Sequence, residues 1–90
     1  MADEELRRKL EQVHDEIANI DQVDEKGRTI LRDVDGHVRD LLAQPEEEGL
    51  EPKPGMRRGL ETAIRHFEVT HPTLTAALSD LLTALSNAGI

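Results

Sequence analysis

Large aliphatic residues recur every three or four positions in the first half of the chain, which is the spacing of one face of an α-helix. The first stripe predicts a helix at about residues 3–20 and the second a helix at about residues 24–43. Since only residues 21–23 separate them, the two helices should form an antiparallel hairpin. The stripes consist of Leu6, Leu10, Val13, Ile17 and Ile20, followed by Leu31, Val34, Val38 and Leu41.

The second helix contains two glycines, although glycine is among the least favourable residues in a helix interior. Gly27 lies on the apolar stripe, one turn before Leu31. It either permits a close approach to the first helix or marks a loose first turn. Gly36 falls on the opposite face, where it weakens the helix without a visible benefit. Asp24 is predicted to cap this helix, because its side chain can accept a hydrogen bond from a free backbone N–H.

Residues 44–55, QPEEEGLEPKPG, interrupt the helical pattern. They contain three of the four prolines, and prolines and glycines break helices. Low hydrophobicity combined with high charge is typical of segments that do not fold by themselves. We therefore predict a flexible acidic linker, with fast amide exchange and early protease cleavage near Glu46–Glu51. Slow exchange there would mean that Leu50 is docked against the helices.

After the linker, Pro72 separates two further helical stripes. The residue before a proline avoids the α conformation, and proline itself fits the first turn of a helix. We therefore predict that Thr70, His71 and Pro72 end one helix and start the next, with His71 as a hydrogen-bonded capping residue. Because a seven-residue step of apolar positions continues through the proline, one long kinked helix is the alternative. The stripes are Met56, Leu60, Ala63, Ile64 and Phe67 in a helix at about 56–70, and Leu74, Ala77, Leu78, Leu81, Leu82, Leu85 and Ala88 in a helix at about 72–88.

Together these elements predict an all-α protein, a small four-helix bundle in which residues 1–90 form a single domain. Phe67 is the only aromatic residue and cysteine is absent. The core should therefore consist of aliphatic side chains packed between helices, with no disulfide to support it. A domain of this size gains much from association with a second copy.

The chain carries a net charge of −8, and this charge is unevenly spread. Residues 1–44 contain 12 acidic and 7 basic residues, residues 45–55 contain 4 and 1, and residues 56–90 contain 3 of each. An acidic chain repels the phosphates of nucleic acids and of anionic membranes, so we expect neither as a partner. We expect a cytoplasmic protein, because its start is acidic and no apolar segment is long enough to span a bilayer.

The sequence contains no recognisable catalytic or cofactor motif, such as a glycine-rich phosphate loop or a Gly-x-Ser-x-Gly elbow. Glu11 and His14 match the Glu-x-x-His spacing of di-iron bundles, which need two such motifs and two further glutamates. Only one copy is present, beside the apolar stripe, so we interpret it as a solvated helix edge. We expect no enzyme activity, no cofactor and no metal site.

The outer side of the last helix carries a single charge, that of Asp80. Small uncharged residues let another helix approach closely, and depletion of charge is typical of the centre of an interface. We therefore predict a two-fold homodimer that acts by self-association or protein–protein interaction. The alternative is a regulatory module that accepts a helix of a different protein in an apolar groove. The predicted interface residues are Thr75, Ala76, Ser79, Thr83 and Ser86.

The last part of the chain, RHFEVTHPTLTAALSDLLTALSNAGI at residues 65–90, resembles the carboxy-terminal signature of DUF4404. This is a family of small bacterial helical proteins known only as a domain of unknown function. The resemblance extends more weakly over residues 3–43. It implies a short helical protein that stands alone, and it brings no activity, cofactor or catalytic residue with it.

Overall fold

The computed structural model describes residues 2–45 and 49–89, and these contain four helices and no strand. Each helix packs against its neighbours along the chain, and the last returns to the first, so that all four surround one core. The predicted all-α four-helix bundle is confirmed, and each predicted helix bound lies within three residues of the observed one. The helices are α1 (Ala2–Ala18), α2 (Glu25–Leu42), α3 (Met56–Phe67) and α4 (Pro72–Asn87).

The core is built from the apolar positions that the helical spacing identifies. Phe67, the only aromatic residue, is 1% exposed and lies among aliphatic side chains from all four helices. Ile17 and Ile20, which end the first predicted stripe, are only partly buried. The buried positions include Leu6, Leu10 and Val13 of α1, Val34, Val38 and Leu41 of α2, Leu60 and Ala63 of α3, and Leu74, Leu78, Leu81 and Leu85 of α4.

The helical structure is interrupted before Pro72, so the alternative of one kinked helix is wrong. α3 ends at Phe67, and Pro72 occupies the first turn of α4. Between them, His71 has φ −136° and ψ 70°, which lies outside the helical region. Its carbonyl oxygen accepts hydrogen bonds from the amide and the hydroxyl of Thr75, at 3.0 and 3.1 Å. His71 is therefore the N-cap residue of α4.

His71 is thus the capping residue that the sequence predicts, although its ring makes no hydrogen bond to the start of its own helix. Its Nε2 lies 3.2 Å from the carbonyl oxygen of Gln22 in the connection between α1 and α2. Because a carbonyl oxygen can only accept, Nε2 donates to it, and Nδ1 lies 2.9 Å from the Thr70 hydroxyl. The ring thus ties two connections of the bundle together.

At the start of α2, Asp24 caps the helix as predicted, accepting from the Gly27 amide at 2.7 Å. The close neighbour of Gly27, however, is α3 and not α1. A Cβ atom at Gly27 would lie 3.0 Å from Cζ of Phe67 and 3.2 Å from Nε2 of His66. Gly36 is exposed, and a Cβ there would have no neighbour within 4 Å.

The described part of the linker is attached to the helices. Leu50 is docked in the core with 6% of its surface exposed. The Gln44 side chain accepts from the Glu51 amide at 2.8 Å and donates to the Glu51 carbonyl at 2.9 Å. Lys53 lies 3.3 Å from Asp40 of α2. Residues 46–48 lie outside the described residues, and the flexibility and protease sensitivity of the linker stay predictions.

Candidate interaction surfaces

Two histidines meet at the end of the bundle where the α1–α2 connection touches the α3–α4 turn. The rings of His66 and His71 contact Phe67 edge-on, with centroids 4.7 and 5.3 Å from its own. Nε2 of His66 lies 3.1 Å from Oδ1 of Asp24. The pKa of Asp24 is lowered. The largest cause is the hydrogen bond from the Gly27 amide, and the next is the hydrogen bond from His66. Through these contacts, the two histidines hold the α1–α2 connection against the α3–α4 turn. An open cleft of about 510 Å³ lies beside them.

A buried carboxylate joins α1 to α2. Asp35 is 7% exposed, and its two oxygens accept from Nδ1 of His14 at 2.9 Å and from Nε of Arg39 at 2.7 Å. Burial alone would raise the pKa of Asp35, but the hydrogen bonds from His14 and Arg39 outweigh it, so this pKa is lowered. His14 is therefore not simply a solvated helix edge, as the sequence analysis interpreted it. The only sequence signal was the position of Asp35 directly after Val34 of the apolar stripe.

The Asp35→Asn variant should lose about 1–2 kcal/mol of unfolding free energy at pH 7, because an amide replaces a carboxylate in charge-assisted hydrogen bonds. The carboxylate's contribution is complete above its ordinary pKa of 3.8 and is lost as the pH falls through the lowered pKa of the folded state. The gap between wild type and variant should therefore narrow below pH 3.8.

Urea unfolding at a series of pH values measures this gap. Asp33→Asn on the same helix is the matched control, because the Asp33 side chain is 60% exposed and should contribute little at any pH. A gap for Asp35→Asn that stays constant into strong acid would contradict the assigned role of the carboxylate.

The structure places the five predicted interface residues in two groups. Ala76, Ser79 and Thr83 are exposed on the outer side of α4. Thr75 is half-buried, with its hydroxyl bonded to the His71 carbonyl at the start of its own helix, and Ser86, although exposed, accepts from Arg57 of α3 at 3.0 Å. Ala76, Ser79 and Thr83 are the centre of what we call the α4 face, and Thr75 and Ser86 lie at its edge.

The single charged residue of α4, Asp80, is paired with a residue of α1. Asp80 is exposed, and its carboxylate lies 3.7 Å from Nζ of Lys9 on α1. The small side chain of Ala77 is buried in the core, with 2% of its surface exposed. The α4 face therefore presents hydroxyl and methyl groups to solvent.

A second surface, which sequence reasoning missed, lies between α1 and α2 near their connection. We call it the arginine groove; its volume is about 290 Å³. The Arg39 side chain is engaged by Asp35, whereas the guanidinium groups of Arg28 and Arg32 make no ion pair or hydrogen bond to any described residue. The positions of the three arginines in the sequence were the available signal, because they follow one flank of α2. The groove is lined by Ile17, Ile20, Asp21, Val23, Arg28, Leu31, Arg32, Asp35 and Arg39.

Residues 2–45 and 49–89 contain no group of three or more histidine, aspartate or glutamate side chains arranged to hold a metal ion. None of their helices combines the length and the apolar character needed to cross a membrane.

The family model described as a domain of unknown function, DUF4404, matches residues 6–90. No curated protein and no solved structure matches the chain.

Proposed function

Since the chain belongs to the DUF4404 family, whose description names no activity, we propose a function from its surface: it is a non-enzymatic cytoplasmic protein that acts by self-association through the α4 face. The observation that carries the proposal is the exposed outer side of α4, whose single charge, Asp80, lies 3.7 Å from Lys9 of α1, in a chain of net charge −8. Loss of charge at the centre of a surface patch is typical of interfaces.

The contrast between helices supports this choice. α1 contains six acidic and three basic residues, as its solvent-exposed outer side requires, while α4 contains only Asp80. Solvent exposure alone does not account for an outer helix side that has a single charge and mostly small side chains. Small side chains such as Ala76 and Ser79 let two helix backbones come close together, so the α4 face suits another helix.

The dimensions of the bundle indicate how much surface must take part. A stable interface usually buries about 800 Å² per partner. A helix of 16 residues is only about 24 Å long, so α4 alone is too small. One whole side of a bundle measuring 38 × 22 × 19 Å approaches the required area. The proposed dimer therefore has α4 at its centre and the charged edges of α1 and α3 as its polar rim.

Placing a charge at the centre of the α4 face tests the proposal. Ser79→Glu should convert the dimer to monomer, because two carboxylates would be desolvated close to each other at the two-fold axis. Thr29→Glu is the matched control: Thr29 is exposed, and it lies on α2, diagonally across the bundle from α4. Sedimentation velocity at equal protein concentrations compares the variants. A Ser79→Glu variant that remains dimeric, or a Thr29→Glu variant that dissociates equally, would exclude this face.

A further inference from the structure

The arginine groove has a local charge opposite to that of the chain. Arg28, Arg32 and Arg39 lie along the flank of α2 that faces α1, within a protein of net charge −8. Arg39 is neutralised by Asp35, which also binds His14. Arg28 and Arg32 are exposed, and their side chains have no partner among the described residues. Two guanidinium groups one helical turn apart are therefore available to an anionic ligand.

Beneath these arginines, the groove has an aliphatic floor. Ile17, Ile20 and Val23 are half-buried and pack against the edge of the core, and Leu31 is 6% exposed. Asp21 also lines the groove, which is open to solvent. A ligand that follows the groove can thus contact apolar side chains and both free arginines together.

We propose that the arginine groove binds an amphipathic helix of another protein that carries aspartate or glutamate beside its apolar stripe. A third helix laid between two helices is an established way for apolar stripes to dock. The planar guanidinium group matches a carboxylate with two parallel hydrogen bonds, which favours acidic side chains at the rim. A phosphate polymer is a poorer fit, because the rest of the acidic chain repels it. This binding site is separate from the α4 face.

A pair of designed peptides tests the chemistry of the groove. Both are labelled helical peptides with leucine every three or four residues; one has glutamate at the flanking positions, and the other has lysine at the same positions. Fluorescence anisotropy should show saturable binding of the acidic peptide to the wild type and none of the basic peptide. Equal binding of both peptides, or of neither, would overturn the proposal.

Variants of the protein then locate the binding. Arg28→Glu/Arg32→Glu should weaken the acidic peptide by about tenfold or more, because both rim charges are reversed. Arg58→Glu/Arg65→Glu makes the same charge change at exposed positions of α3 and should leave the affinity within about twofold. Arg28→Ala/Arg32→Ala should weaken binding in the same direction, which guards against misfolding of the reversed variant. Equal losses in the α2 and α3 variants would show general attraction only and would contradict the groove.

Different results would refute the α4 face and the arginine groove, so the two proposals are tested independently. Ser79→Glu alters only the α4 face and should bind the acidic peptide as the wild type does. If Arg28→Glu/Arg32→Glu instead abolishes self-association, the occupant of the groove is a second copy of the chain, and the proposal of a foreign acidic helix is wrong.

Discussion

Leu81→Ala is expected to lower the free energy of unfolding by about 2–5 kcal/mol, the largest effect that we predict for a single substitution. Leu81 has no exposed surface and belongs to the core to which all four helices contribute. Its truncation removes apolar contacts and leaves a cavity that rigid neighbouring helices fill only partly. A bundle of 90 residues has few core positions, so one lost leucine is a large share of its total stability.

Urea unfolding followed by circular dichroism measures this loss. Leu82→Ala removes the same atoms from the next residue, which is only half-buried, and should cost clearly less. Both variants need the same protein concentration as the wild type, because self-association would make the apparent stability depend on concentration. A loss below about 1 kcal/mol for Leu81→Ala would mean that the apolar stripe of α4 is wrongly assigned.

Gly27→Val should lower the free energy of unfolding by about 2–3 kcal/mol, although valine is the better helix former. A Cβ atom at this position would lie 2.6 Å from Oδ1 of Asp24 and 3.0 Å from Cζ of Phe67. The buried Phe67 ring has little room to move, and displacing Asp24 breaks the cap of α2. The substitution therefore combines overpacking with the loss of a helix cap.

Gly36→Val in the same helix is the matched control, since a side chain there would extend into solvent. It should change the unfolding free energy by no more than about 0.5 kcal/mol. Thermal unfolding of the two variants compares the sites directly. Similar effects at the two glycines would contradict the close approach of α2 and α3 at Gly27.

The helices could be predicted because each depends on spacing within a short stretch of sequence. One error occurs where an apolar residue continues the period beyond the helix. Ile20 extends the first stripe, yet α1 ends at Ala18, and Ile20 packs against the core from the following connection. Residues 68–70 form a turn rather than the last turn of α3, because the chain must change direction before Pro72.

Contacts between distant residues could not be predicted in this way. Two such contacts depend on the register in which α1 lies beside α2. They join His14 to Asp35, and Arg7 to the carbonyl oxygen of Gln44. Helical periodicity identifies a face but not the residue opposite it. The same limit explains why Leu50, isolated in an acidic stretch, gave no sign that it is docked in the core.

The two candidate surfaces also differ in how far the sequence predicts them. The exposure of Ala76, Ser79 and Thr83 follows from their position opposite the leucine stripe of α4, and the structure places them on the outer side. The arginine groove involves two helices, so it becomes visible only when the flank of α2 is placed beside Ile17 of α1. A groove of this kind requires the packing of the hairpin, which the sequence pattern does not specify.

The central claim, that the protein acts by self-association, is tested most directly by the molar mass of the wild-type chain in solution. Multi-angle light scattering across the micromolar range measures this mass without a label or a substitution. We predict a mass twice that of the 10.1 kDa chain, which decreases only on dilution. A mass of 10.1 kDa at every concentration would contradict the claim.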